Sequence, residues 1–391
     1  MHFKQLFNQE TWLPDWDRIF SIDEFKAMEN CPQSSVWHQE GNVKNHTKLV
    51  TKALIKYLSD RKGIIPSNDE YYIMMVSAAI CHDLGKPSTT KFDKEANDYK
   101  TANHGHVGAV IARTLFMDED IDLREKVCYM VRHHMDLHHI FDKPESTNRK
   151  MIQLSYGRVT LNDMLILNIC DSLGSKNEKE TKESIMEKEN RIINLANELG
   201  CLMKPYHFDS DYDRFKFFVG REEKKNVFKK LIDKLKGQKQ FNMYVMIGVP
   251  GSGKSYYVDK VLMKDVKVIS RDLIRSSLGM VGDKPMGNKE QENKVTEVFN
   301  KMVIDCCKNG QDFIIDNTNV RRKYREDYIR MTLEYKPNII YVYVEAPSLD
   351  VNKERRKGMM PLDVIDRMWN QFDFPEPWEY NSMYYCYGSH T

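Results

Sequence analysis

The chain has 391 residues, with 59 Lys+Arg against 57 Asp+Glu, 41% hydrophobic and 30% charged residues. That length allows two or three domains, the balance is that of a globular protein, and a net charge of +2 neither demands nor excludes nucleic acid. No apolar run reaches the roughly 18 residues that span a bilayer; the acids Asp15, Asp17, Asp23 and Glu24 do not suit a leader; and the eight cysteines lack metal-type pairing, so free thiols in a reducing cytoplasm and no membrane partner are expected.

Helical periodicity runs through 45–61, 70–82, 104–117, 122–135 and 158–172, and β-type alternation is scarce. An all-α first domain is expected over 1–205. Tyr71–Cys81 is apolar nearly all round, the mark of a buried helix, so His82-Asp83 at its end is expected at the bottom of a cleft. Residues 175–200 predict a charged helix. Arg221–Gln240 holds eight Lys/Arg and three Asp/Glu, a net of +5. It reads as a solvated helical face or, less simply, as a phosphate-backbone contact. The boundary falls there, with a helical basic linker over 206–238. From 239 to 391 the pattern alternates. Strands at 241–248, 266–270, 312–316 and 338–345 are separated by helices, one near 287–309, predicting an α/β domain with a parallel sheet.

Gly248-Val-Pro-Gly-Ser-Gly-Lys-Ser255 stands between a strand and a helix. Its small residues (Gly248, Gly251, Ser252, Gly253) let successive N–H groups close around a polyphosphate. Lys254 supplies charge to the outer phosphates and Ser255 a hydroxyl to Mg2+. ATP or another NTP is the expected ligand. Asp272, just past the strand at 266–270, can accept a proton from an attacking hydroxyl, and Arg275 one turn on can hold an acceptor phosphate. Asp316-Asn317-Thr318-Asn319 ends the next strand with groups suited to Mg2+ or to the acceptor. Arg355 and Arg356 are placed to close over the triphosphate.

In the helical half, His46, His82-Asp83, His106, His133-His134 and Asp171 lie near predicted helix ends. Imidazoles and carboxylates converging in a cleft suit a divalent transition metal. Such an ion acidifies a water and neutralises phosphate charge; Asp83 would bridge metals or take the water's proton, and Lys86 and Arg132 would add positive charge.

This order of residues resembles the HD superfamily of metal-dependent phosphohydrolases. His82-Asp83-Leu-Gly-Lys86 is similar to its central signature. Val36–Thr47 resembles the entry motif of HD domains in some tRNA nucleotidyltransferases, with His46 the ligand and His38 in support. The resemblance implies His46, His82, Asp83 and Asp171 as core ligands. It implies His106 rather than His104, and His134 rather than His133, at a second metal, although Val107 stands where an acid often sits. The second half resembles polynucleotide 5′-kinases in its phosphate loop, Ser270-Arg-Asp272-x-x-Arg275, Asp316–Asn319 and the arginine lid. That implies Asp272 as general base and Arg275 on the acceptor strand. The fusion is similar to bacterial HD-domain polynucleotide kinases. It implies a two-ended healing enzyme that phosphorylates 5′-OH ends and removes 2′,3′-cyclic, 2′- or 3′-phosphates from RNA or DNA, with a separate ligase to seal. Two other readings stand beside it: a nucleotide or small-molecule kinase fused to an HD nucleotide phosphohydrolase, and a regulatory nucleotide-binding switch. Tyr71, Tyr72, Trp369, Phe372, Trp378, Tyr384 and Tyr385 are candidates for stacking on bases.

Overall fold

The computed structural model describes residues 1–176, 180–220, 241–260, 266–280 and 289–387. The chain forms two compact units, Met1–His207 and Phe208–Thr391.

The first unit is helical. Its framework is Val43–Lys62, Glu70–Cys81, His104–Leu115, Ile121–His133 and Leu161–Gly174. Local chemistry sets the ends. The Asn42 side chain accepts from Asn45 N, and Gly63 ends the same helix at φ 66°. Asp69 accepts from the N–H groups of Tyr71 and Tyr72 and so opens the next helix; such caps satisfy donors that the first turn leaves bare. Every residue from Tyr72 to Cys81 is buried, so this helix is the spine of the core as its all-round apolarity predicts. Within the charged stretch at 175–200, Thr181 caps the helix Lys182–Glu198. Among the described residues one element departs from helix: an antiparallel hairpin of β1 (Thr90–Asp93) and β2 (Asp98–Thr101), its turn reached through Asn97 at φ 49°. Four-residue strands carry too little alternation to show in a sequence window.

The second unit is a five-stranded sheet in the order β4-β5-β3-β6-β7, every pair parallel. The strands are β3 (Asn242–Ile247), β4 (Lys267–Ile269), β5 (Phe313–Ile315), β6 (Asn338–Glu345) and β7 (Ser382–Tyr387). The fifth, β7, lies beyond the strands expected from the sequence and carries two of the candidate stacking residues, Tyr384 and Tyr385. The helix Asp211–Val219, expected within the linker, packs on Arg322–Thr332 and belongs to this unit. Residues 221–240, the basic stretch, lie outside the described residues. The proposed stacking aromatics divide sharply. Tyr72, Trp369, Phe372 and Trp378 are core residues, whereas Tyr384 is 56% exposed.

Candidate functional sites

In the first unit, helix ends deliver the predicted histidines and aspartates to one place. His46 lies in the first turn of Val43–Lys62, His82-Asp83 follows Glu70–Cys81, His104 opens His104–Leu115, and His134 follows Ile121–His133. Asp171 projects from Leu161–Gly174. Close approach depends on Gly85: a Cβ there would lie 2.1 Å from the His104 carbonyl oxygen and 2.7 Å from Gly108 N. Only a residue without a side chain lets the Asp83 turn dock on that helix.

Two groups of ligand-type atoms result, His46/His82/Asp171 and Asp83/His104/His134, all buried. Asp83 spans them. Its Oδ2 is 3.2 Å from His82 Nε2 and 3.7 Å from His46 Nε2; its Oδ1 is 3.6 Å from His104 Nε2 and 3.7 Å from His134 Nε2. His46 Nε2 is 2.9 Å from Asp171 Oδ1. The Nδ1 atoms of His82 and His134 each lie 2.8 Å from a backbone carbonyl, of Ala79 and Val131. Donation there leaves both Nε2 lone pairs turned inward. The ε nitrogens of His104 and His134 face each other at 3.1 Å.

Charge balance follows from burial and neighbours. Burial opposes ionisation of Asp83, but His82 and Lys86 outweigh it and hold the carboxyl well below the usual range. Asp171 behaves alike, with His138 and His46 as the opposing hydrogen bonds. Burial, reinforced by His104 and His82, pushes His134 down to about 3, so its ring is neutral at ordinary pH. Lys86 Nζ stands 2.7 Å from Asp83 Oδ2, close enough for charge pairing. Yet neither Asp83 oxygen nor His82 Nε2 has a well-aligned hydrogen-bond partner. A bare buried polar atom costs about 1–3 kcal/mol. These atoms, converging with the neutral His134 ring and a second carboxylate, fit a divalent transition ion.

The structure differs from the motif reading at one histidine. His104 joins the converging groups; His106, favoured in the sequence, instead meets Arg132 Nη1 at 2.9 Å. His133 pairs with Asp136 at the surface. Two contributors were not singled out in the sequence, although Glu40 lies inside the entry motif Val36–Thr47. Glu40 Oε1 lies 2.8 Å from His38 Nδ1 and 2.9 Å from His46 Nδ1, the latter off the line of a good hydrogen bond. His138 Nε2 meets Asp171 Oδ2 at 3.0 Å. Both sit behind the ligands and orient them.

In the second unit the site forms at the carboxyl edge of the sheet, where ligands of open parallel sheets bind. The phosphate loop follows β3 and feeds the helix Lys254–Lys260. Gly251 takes φ 81°, and a Cβ on it would lie 2.5 Å from the Asn352 carbonyl oxygen. The helix Leu349–Arg356 is thus pressed against the loop. Asn352 Nδ2 donates to Pro250 O at 3.0 Å and Arg355 Nη1 to Gly251 O at 3.1 Å. Lys254 is buried, its ammonium 2.8 Å from Gly248 O and 3.1 Å from Val249 O. Burial, aided by the Arg356 cation and opposed by Asp316 and Asp272, pushes it down to about 8.

Ser255 Oγ lies 3.4 Å from Asp316 Oδ2. Burial raises the Asp316 pKa against the pull of Lys254 and Ser255, and Asp272 and Asp259 add to the rise. This hydroxyl–carboxylate pair in an anionic setting fits Mg2+ beside the loop. Asp272 is 74% exposed, and its Oδ1 meets Arg275 Nη1 at 2.6 Å. Arg275 is also held by both oxygens of Glu292, at 2.9 and 3.0 Å, a partner 17 positions away that its own motif does not reveal.

The rest of the Asp316–Asn319 motif is spent on backbone. Asn317 Oδ1 accepts from Arg271 N at 3.1 Å, and Thr318 O accepts from Gly248 N at 3.0 Å. Asn319, 2% exposed and at φ 50°, donates to Met246 O at 2.7 Å and accepts from the Tyr328 hydroxyl at 3.0 Å. These bonds moor the end of β5 to β3 and to its neighbours; Asn319 is buried, while Asn317 and Thr318 remain half-buried.

Comparison with known proteins agrees with this division. Residues 45–199 match the HD domain family and residues 243–375 the AAA domain family. The chain is 26% identical over 141 residues to an L-seryl-tRNA(Sec) kinase of Methanococcus maripaludis, covering 34% of this chain and 53% of that protein. It is 41% identical over 61 residues to a CC-adding tRNA nucleotidyltransferase of Thermus thermophilus, 15% of this chain and 14% of the other. It therefore spans about half of the first relative and a small part of the second. A solved structure of a candidate kinase from Chloroflexus aurantiacus aligns over 39% of this chain and 87% of its own, at 15% identity and a TM-score of 0.31.

Proposed function

The chain joins an HD domain to a P-loop kinase-like domain, and from that premise we propose that it heals broken polynucleotide ends: it phosphorylates a 5′-OH at the expense of an NTP and removes 2′,3′-cyclic, 2′- or 3′-phosphates. The observation that carries this reading is the pairing in one chain of two unlike phosphate sites. One is a donor loop with an exposed carboxylate, Asp272, at the acceptor edge. The other is a buried His/Asp cluster with bare oxygens. Each handles one end of the same break, and RNA is favoured over DNA because both curated relatives are named for tRNA.

In the kinase half, loop N–H groups and Lys254 bind the donor phosphates. Asp272 takes the proton from the incoming hydroxyl, and Arg275 holds the acceptor's phosphate. Arg356, whose field already reaches Lys254, offsets charge that builds during transfer, while Arg355 stays anchored to the loop. In the HD half, His46, His82, Asp83, His104, His134 and Asp171 would hold the ion or ions. Bound there, a divalent ion supplies Lewis acidity to a water and to phosphoryl oxygens. Lys86 draws charge from Asp83 and stands ready for a phosphate oxygen.

Asp272→Ala and Asp83→Ala test the division on an RNA with a 5′-OH and a 2′,3′-cyclic phosphate. Asp272→Ala is expected to lose 5′ phosphorylation and keep 3′-end hydrolysis, and Asp83→Ala the reverse. Loss of both from either change would make the site a single shared one. A second reading follows from the seryl-tRNA kinase likeness: the acceptor hydroxyl belongs to a group carried on RNA. Transfer to seryl-tRNA but not to a 5′-OH oligonucleotide would select it.

A further inference from the structure

The HD cluster opens into a cleft of about 390 Å³, within the size range of small-molecule sites, whose lining includes Gln33, Trp37, Lys86, Tyr99, His104 and Asp171. We propose that this cleft seats the 3′-terminal nucleotide of a single strand, its base against Tyr99 and Trp37 and its phosphate toward Gln33 and Lys86; the proposal rests on the end-processing reading above.

Gln33 supplies the first argument. It is only 8% exposed, and its Oε1 accepts from Lys86 Nζ at 2.8 Å, but its Nε2 is buried with no partner. A buried amide N–H left bare beside an ammonium is a donor pair waiting for an anionic oxygen.

The hairpin supplies the second. Its register pairs Thr90 with Thr101 and Phe92 with Tyr99, and alternation puts all four on one face. At the inner end the two threonine hydroxyls bond at 3.0 Å, and Thr101 and Tyr99 line the cleft. The outer pair continues that wall as rings 5.2 Å apart and edge to face, with Tyr99 37% and Phe92 50% exposed. Trp37, 45% exposed, faces the same cleft. Its segment is tied to the hairpin through Ser34 Oγ and Ser35 N, both on the Asp98 carboxylate. Such rings accept any base because every base has a π-face. Two rings in succession leading outward from the cluster suit a strand better than a lone nucleotide.

The test uses the full-length protein and an oligonucleotide ending in 2-aminopurine 3′-phosphate, with p-nitrophenyl phosphate as the substrate without a base. Binding should quench 2-aminopurine fluorescence. Tyr99→Ala and Trp37→Ala should each raise KM for the oligonucleotide about tenfold, leaving kcat and p-nitrophenyl phosphate hydrolysis unchanged, and Tyr99→Phe should restore KM. Unchanged KM and quenching in both alanine variants would overturn the proposal. So would equal losses on both substrates, since the rings would then serve the fold. Free 2-aminopurine riboside 3′-phosphate binding as tightly as the oligonucleotide would refute the strand. Quenching that is lost in the variants, from a wild type that hydrolyses neither substrate, would keep the cleft and reject the end-processing reading.

Discussion

Raising the pH should weaken NTP binding through Lys254 alone. Burial and Arg356 lower its pKa from 10.5 to about 8. In the unfolded chain the ordinary value returns, so between about pH 8 and 10.5 the unfolded state holds one proton more than the folded one. Stability of the ligand-free protein therefore rises with pH through that window, as the buried charge is shed. Nucleotide affinity moves the other way, because the triphosphate needs the ammonium and must restore its proton. About three quarters of Lys254 is charged at pH 7.5 and about 3% at pH 9.5, so Kd for Mg·ATP should rise about 25-fold across that range. Calorimetric titration in two buffers of different ionisation enthalpy measures both Kd and the proton taken up. Lys254→Ala should show a weak, flat profile. A wild-type Kd independent of pH from 7.5 to 9.5, with no proton uptake, would refute the argument.

Further outcomes follow from the same geometry. His104→Ala should lower the amount of transition metal that copurifies, and His106→Ala should not, as read by elemental analysis; the opposite result would restore the motif's preference for His106. Gly251→Ala forces a Cβ to within 2.5 Å of the Asn352 carbonyl at φ 81°, a strain of about 1–3 kcal/mol, and should weaken nucleotide binding at least about tenfold while HD hydrolysis persists; equal nucleotide binding by titration would show that the loop relaxes freely. Glu292→Gln should loosen Arg275 and raise KM for the acceptor without changing Kd for ATP, and a change in ATP affinity alone would place Glu292 on the donor side.

Periodicity and spacing were enough to locate the buried helix Tyr72–Cys81 and the strand–loop–helix around Gly248–Ser255, because local pattern and tertiary role coincide there. His104 and His106 show where that stops. Both stand in the same helical turn, two positions and about 200° apart, so which one turns inward depends on how the helix docks through Gly85. His138 and Glu292 are joined to their partners by packing rather than by spacing, and no motif brackets them; Glu40 lies inside the entry motif Val36–Thr47, but nothing in that spacing marks it as a partner of His46. Seven of the eight cysteines, Cys31, Cys81, Cys128, Cys170, Cys201, Cys306 and Cys307, are buried. Among the described residues, no helix is long and apolar enough to cross a membrane.

Asn319 changes how a mutational scan of this region should be interpreted. On the proposed mechanism a substitution there should cost the P-loop domain its activity as one at Asp272 should, yet for an unrelated reason. With its amide fastened to Met246 and Tyr328, and with Thr318 beside it holding Gly248, the residue works as a buckle between two strand ends. Its loss would slacken the donor loop itself. Intolerance at this position would report tension in the scaffold, and a survey that equates intolerance with contact to substrate would draw the acceptor path through a buried side chain.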